Sequence, residues 1–455
     1  MAKKQRRSGS GKVAGRGGTT GVAVSSPVEE LLLKAMERGD GTFETGRFLI
    51  TFKEGATTEG LQSLGAKSMR VANARDFEAQ AAVLEALGDA DAIVFPEVGV
   101  ALVGSDAAAS RGMSVQAEIA ADSPIQSIDP EHFVFADDAE RDYLAGVVQA
   151  PERARGDFLR GFMSAAEAIA KELIEGSQPK LEVVEEALVV GATWGLVACK
   201  VPPSVRSGVG IKLAVLDTGF DLGHPDFVGR PVVSAQFVGQ PVQDLHGHGT
   251  HTAGTASGPK APAGSTPRYG IGHRTSMFIG KVLSNSGGSV GGSVINGMNW
   301  AIANRCEVIS MSLGAQVGPQ PAYTNAGQAA LNNGLLIIAA AGNSSAATGA
   351  PANSPTIMSV ASLDPNLTPS SFSNFGKIEI AAPGRDVFSS WPRPTRYKTI
   401  SGTSMACPHV AGCAALWAET STTLRGTNLW RRLQATAKPL PLPPARVGAG
   451  LVQAP

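Results

Sequence analysis

Cysteine is scarce in this chain, with four residues in 455: Cys199, Cys306, Cys407 and Cys413. They form no C-x-x-C pair and no evident framework, so a disulfide scaffold is not expected. Reduced, partly buried thiols are, which suits a reducing compartment. Aromatic residues make up only 5%. Neither sign of charge dominates, with 39 Lys and Arg against 39 Asp and Glu, so nothing global points to nucleic acid or a membrane surface. Long apolar runs are missing too. The longest, Leu335 to Ala341, is far too short to cross a bilayer, and no membrane span is expected. The basic N-terminus, Met1 to Arg16, is followed by no apolar signal-peptide core. The expected location is therefore cytoplasmic, with leaderless export the alternative.

Glycine, by contrast, is abundant at 54 residues, which suits a packed α/β protein with many tight turns. Four regions follow from texture. Residues 1–40 read as a disordered basic tail containing one short helix over Val28 to Arg38. Residues 41–105 read as a small α/β domain: a strand over Gly46–Phe52, helices over Thr57–Leu64 and Phe77–Leu87, and a strand over Ala92–Glu97. Residues 106–190 read as a polar linker and an insert, with an amphipathic helix over Asp157–Glu175. From 191 to 455 apolar runs alternate with helical stretches. The runs are Lys212–Leu216, Met277–Leu283, Val308–Leu313 and Leu335–Ala341. Between them lie helices such as Val294–Asn304 and Ala322–Asn332. Runs apolar throughout, rather than alternating, indicate parallel strands covered on both faces. The pattern predicts a doubly wound parallel sheet with its site beyond the carboxyl ends of the strands.

Chemistry-bearing residues fall at those ends. Asp217 closes the first strand, in Asp217-Thr218-Gly219. That triplet also marks aspartic proteases, but they need a second copy per site, and none is present. Asp244-Leu245-His246-Gly247-His248-Gly249-Thr250-His251 packs three of the seven histidines into six residues. Zinc ligation is the rival reading, although no H-E-x-x-H accompanies the pair. A general base at His248, with His251 as a packed or hydrogen-bonded neighbour, explains the small residues around it better. Asn343 ends the run Leu335–Ala341 and offers a side-chain amide as an oxyanion donor. Ser404, in Gly402-Thr403-Ser404-Met405-Ala406-Cys407-Pro408-His409, stands where a tight turn enters a helix. There free backbone N–H groups favour negative charge. Pro408 is expected in the first turn of that helix, where its missing N–H is no loss.

These four blocks, in the order Asp, His, Asn, Ser, resemble the signature of the subtilisin family of serine peptidases (subtilases). The resemblance runs from about Trp194 to the C-terminus and includes Asn299–Ala303 and Ser310–Gly314. It implies a subtilisin-like three-layer α/β/α fold and a serine endopeptidase acting on protein or peptide substrates. It implies Ser404 as nucleophile, His248 as general base and then acid, and Asp217 as the group that orients the imidazole. Asn343 and the Ser404 N–H would form the oxyanion hole. Ser312, Leu313 and Gly314 would line one substrate edge, and Gly287, Gly288 and Ser289 the opposite one. Where the family carries a calcium loop, this chain has Pro259-Lys260-Ala261-Pro262-Ala263-Gly264. Asp226 matches a calcium-ligand position, but one ligand makes no site, so no metal or other cofactor is assigned. The uncharged stretch from Asn343 to Pro355 implies a large apolar or broad preference at the residue before the scissile bond. The Gly46–Ala101 unit resembles the family's propeptide in architecture, which implies a folding aid and inhibitor acting on its own chain. The competing reading is a non-proteolytic module whose residues 1–190 permanently cover the cleft. An ordinary α/β-hydrolase would need G-x-S-x-G and a different order of its triad.

Overall fold

The computed structural model describes residues 27–37, 43–66, 68–77, 90–110, 122–136 and 191–455. The expected basic tail up to residue 26, nearly all of the expected helix over 77–87 and the whole of that over 157–175 lie outside the described residues.

The N-terminal part begins with α1 (Pro27–Glu37), β1 (Glu44–Phe52), α2 (Thr57–Ala66) and β2 (Val71–Asn73). It continues through β3 (Ala92–Phe95), β4 (Val100–Val103), α3 (Ser105–Ser110) and β5 (Ile125–Ala136). β1 pairs antiparallel with both β4 and β5, and β3 lies antiparallel to β4 and parallel to β2. The sequence texture ends this unit at 105 and gives 106–190 to a linker and insert. The sheet instead runs on to Ala136, because β5 finds a partner in β1 that no local pattern announces. Pro130 interrupts the run of β-formers in β5, which weakens the local strand pattern. Likewise α1 is more than part of a tail: Val28, Leu32 and Ala35 are buried against Phe133, Phe135, Val238 and Val290.

The second part contains α4 (Trp194–Ala198), β6 (Lys212–Asp217), β7 (Val232–Gln236), α5 (His248–Ser257) and β8 (Ser276–Lys281). Then come β9 (Gly288–Val290), α6 (Gly291–Ala303), β10 (Val308–Met311), β11 (Leu313–Gly314), α7 (Pro321–Asn332) and β12 (Leu336–Ala340). β13 (Met358–Leu363), β14 (Ile380–Pro383), β15 (Val387–Ser390), β16 (Tyr397–Ile400), α8 (Thr403–Thr420) and α9 (Gly426–Thr436) follow. Seven strands form a sheet in the order β14-β13-β12-β10-β6-β8-β7, and every pairing in it is parallel.

Successive side chains of a strand face opposite ways, so the sheet builds two cores. Leu213, Val215, Ile279, Val308, Ile338 and Val360 pack with α5, α8 and α9 on one side. Ala214, Leu216, Phe278, Ile309, Ile337 and Ala339 pack with α6 and α7 on the other. The result is the expected three-layer α/β/α arrangement. Leu49, Ile93, Phe95, Val100 and Leu102 of the N-terminal sheet join the second core, so α6 and α7 lie between the two sheets.

Polar contacts fix that docking. Glu131 is fully buried and accepts from Gly292 N at the start of α6 (2.6 Å). Its carboxylate is held by Arg47 (2.5 and 2.9 Å) and by the Thr45 hydroxyl (2.7 Å). A carboxylate at a helix N-terminus satisfies orphan donors and complements the helix dipole. Glu97 N donates to Asn299 Oδ1 (2.8 Å), and Asn325 Nδ2 donates to Phe52 O (2.9 Å).

Candidate active site

Asp217 is the last residue of β6 and His248 the first of α5. Their side chains meet: Nδ1 of His248 lies 2.8 Å from Oδ1 of Asp217. An ionised carboxylate only accepts, so Nδ1 carries the proton and the neutral imidazole keeps its basic lone pair on Nε2. Asp217 also accepts from Thr218 N (2.7 Å) and from the Thr252 hydroxyl (3.2 Å). Asp217, His248 and Ser404 are each at most 2% exposed.

Two residues that sequence reading did not single out hold this pair in place. Asp244 accepts from His246 N (3.0 Å), Gly247 N (2.8 Å) and Thr250 N (2.9 Å) around the start of α5, and from the Thr218 hydroxyl (3.0 Å). Thr218 Oγ1 in turn accepts from Gly249 N (2.8 Å). A capping acid ahead of a helix was the available signal for Asp244. Gly249 is required by close approach, since a Cβ there would stand 2.3 Å from the Gly219 carbonyl oxygen. His251 is fully buried, and its Nε2 donates to the carbonyls of Val387 (3.0 Å) and Lys398 (3.2 Å). That is the hydrogen-bonded neighbour expected from the sequence. Burial pushes its imidazole down to about 3.

Ser404 is the second residue of α8, which starts at Thr403, with Gly402 as its N-cap. Pro408 therefore lies in the second turn, inside the helix, and not in the first as its sequence context suggested. The carbonyl four residues back, which its missing N–H would have served, belongs to Ser404. Ser312 takes over, donating its hydroxyl to Ser404 O at 2.8 Å. The Ser404 hydroxyl donates to Ser312 O at 3.2 Å. Asn343 accepts through Oδ1 from Thr403 N (2.9 Å) and the Thr403 hydroxyl (3.0 Å). That anchors the amide and turns Nδ2 towards Gly402. A Cβ on Gly402 would stand 3.1 Å from Asn343 Nδ2 and 3.6 Å from Ser404 N. The glycine thus keeps open the space that both donors border.

The two expected substrate edges are occupied by the chain itself. β5 lies antiparallel between β9 and β11. Leu313 stands opposite Ala136 and Gly314 opposite Phe135; Ser289 stands opposite Val134 and Gly288 opposite Phe135. Gly287 accepts from Ala136 N at 2.8 Å. Val134 and Ala136 face into the core beside Leu313, whereas Phe133 and Phe135 face outward under α1. The run expected over Val308–Leu313 breaks at Ser312, which leaves the sheet as β10 ends and β11 turns to the edge.

Residues 208–450 match the Subtilase family. The chain belongs to that family. It is 37% identical to Subtilisin DY of Bacillus licheniformis over 248 residues, 53% of this chain and 88% of that protein. It is 40% identical to Thermitase of Thermoactinomyces vulgaris over 218 residues, 47% of this chain and 77% of that protein. The crystal structure of a cold adapted subtilisin-like serine proteinase superposes with a TM-score of 0.52 at 32% identity, covering 58% of this chain and 98% of that one. This subtilase is a serine-type endopeptidase.

Asp226, at the family's calcium position, is engaged by donors of the protein itself. Asp226 accepts hydrogen bonds from the hydroxyls of Tyr269 (2.6 Å) and Tyr397 (3.0 Å) and from Ala263 N (3.4 Å). Among the described residues no three His, Cys, Asp or Glu side chains form a group that could hold a metal ion, the histidines of 246–251 included. All four cysteines are buried free thiols, and no described helix is long and apolar enough to cross a membrane.

Proposed function

We propose that this peptidase cleaves peptide bonds with Ser404 as nucleophile, His248 as general base and then acid, and Asp217 as the orienting carboxylate. The Asp217–His248 contact at 2.8 Å supports the last two roles. It leaves Nε2 as the basic nitrogen and stabilises the imidazolium once the Ser404 proton is taken. Asn343 Nδ2 and Ser404 N border one open space, which suits the oxyanion of a tetrahedral intermediate. The segments 287–289 and 312–314 bind substrate as an added strand, and main-chain pairing holds the scissile bond against Ser404. The lining after Asn343 carries no charge as far as Pro355, which suits apolar residues before that bond.

The observation that carries this reading furthest is β5. An extended stretch of the chain already lies between both edges, and its last described residue, Ala136, is one position short of the partner of Ser312. We propose that the unit up to Ala136 is an inhibitor of its own cleft, released by cutting beyond that strand. Glu131 on the start of α6 and α1 over Phe133 and Phe135 support a bound, inhibited state. A fragment ending at residue 105 would lack the strand, so the inhibitor is tested as residues 27–136. Added to the matured enzyme, it is expected to compete with peptide substrate at sub-micromolar concentration. A folded fragment without inhibition would make the N-terminal part a docking domain for some other protein.

A further inference from the structure

Lys281 is fully buried at the end of β8, directly opposite Asp217 of β6 in the parallel register. No step of the mechanism uses it. A buried ammonium is costly unless several acceptors satisfy it, so its partners indicate what it is for. Its Nζ donates to the carbonyl of Thr218 and, at 2.9 Å, to Oδ1 of Asn285.

Both partners belong to the site. Thr218 is the hub of the acid–base pair: its N–H holds Asp217, and its hydroxyl joins Asp244 to Gly249 of α5. Asn285 sits in the turn that delivers the substrate edge, where Ser284 N donates to Gly288 O (2.9 Å) and Gly287 N to Ser284 O (3.0 Å). Gly287 O is the acceptor used by Ala136. One ammonium thus ties the turn after the carboxylate to the loop that receives an incoming chain.

We propose that Lys281 is a positioning residue for the hydrolytic reaction, which couples the substrate edge at Gly287 to the Asp217–His248 pair and sets the electrostatic field around that pair. Charged and titratable groups near the His246–His248 turn, among the described residues, include Asp217 on β6, Asp244 ahead of α5, His251 on α5 and Lys281 on β8. Two are carboxylates that favour the imidazolium, and Lys281 is the cation that opposes them. The neighbouring His246 feels the same field. Its imidazole is held well below the usual histidine range, by burial first, then by the charges of His248 and Lys281 against those of Asp244 and Asp217.

The inference rests on Ser404 being the nucleophile, so the test begins there. Enzyme matured from the full chain is titrated with a fluorophosphonate probe, and Ser404 is identified as the labelled residue. Absence of that label in the wild type would sink the assignment of the nucleophile rather than the role of Lys281. With labelled sites counted, kcat, KM and the acid limb of the kcat/KM profile are compared for wild type, Lys281→Met and Asn285→Ala. Lys281→Met is expected to lose about 10- to 100-fold in kcat/KM per labelled site, the size of one or two charge-assisted hydrogen bonds. Its acid limb should move up by about 0.5–1 pH unit, because removing a cation favours the imidazolium. Asn285→Ala, which cuts only the tie to the edge, should raise KM several-fold with the limb unmoved. If Lys281→Met yields no folded protein, Lys281→Gln is read in its place, and the upward shift of the limb is again the expected result. A limb at the wild-type pH in whichever of these neutral variants folds, with kcat/KM per site within twofold of wild type, would overturn the proposal.

Discussion

At Pro408 one missing N–H changes what a serine ninety-six positions earlier has to do. Without the Ser312 hydroxyl, the Ser404 carbonyl would be buried with no donor from its own helix. Ser312→Ala is therefore expected to cost about 1–3 kcal/mol in urea unfolding, more than a buried serine-to-alanine change that orphans nothing. Ser404→Ala and His248→Ala should each lower kcat by about 10⁶-fold, the size such losses have in another subtilase, because nucleophile and base act as a unit. The Ser404→Ala chain should keep its urea midpoint, since in the proposed mechanism that hydroxyl does chemistry and little packing. Two other histidines bear on acid stability. Burial pushes His251 down to about 3 and His409 down to about 4, whereas an unfolded histidine titrates near about 6.5. Between those values the unfolded chain binds protons that the folded chain does not. Their contribution is thus complete above about pH 6.5 and is lost as pH falls towards about 3–4. Unfolding of Ser404→Ala at pH 7.5 and pH 5 should show a drop, and His251→Gln should reduce that drop.

At the scale of elements, the sheet strands buried on both faces were legible because an unbroken apolar run has few other uses. β6, β8, β10 and β12 were found within a residue or two. β7 was missed because it is an edge strand with half-exposed residues, β13 because Ser359 and Ser362 interrupt its apolar run, and β14 because it is short and ends in Pro383. The four signature blocks make Asp217, His248, Asn343 and Ser404 legible as candidates at the strand and helix ends where they lie. Thr218, Lys281 and Glu131 are not legible because a decisive partner of each lies far along the chain, Asp244 for Thr218, Thr218 for Lys281, and Arg47 and Gly292 for Glu131, whereas Asp244 has a local signal as a capping acid. β5 is the largest omission, because its partners β1, β9 and β11 lie far from it in the sequence. Glu131 gives an element-scale prediction. Glu131→Ala leaves Arg47 buried without its carboxylate and the start of α6 without its acceptor, which should cost the inactive Ser404→Ala chain about 3–5 kcal/mol. A loss below about 1 kcal/mol, measured by urea unfolding, would mean that water or another group replaces the contact.

For the whole molecule, the two seven-stranded sheets lie on either side of α6 and α7, and β5 of the N-terminal sheet runs antiparallel between β9 and β11. On the proposed reading, a chain folded this way is its own first substrate. Ala136 stands opposite Leu313, the neighbour of Ser312, whose carbonyl lies 3.2 Å from the Ser404 hydroxyl. A strand advances about 3.3 Å per residue, so the first cut should fall within about four residues beyond Ala136. Intact mass of the purified full chain against time, wild type beside Ser404→Ala, tests the account most directly. The account predicts that the wild type separates into two fragments with a boundary in that window, while Ser404→Ala stays at full mass. Processing of Ser404→Ala at the same bond and rate, or a wild type that hydrolyses peptides while its own chain stays whole, would contradict it.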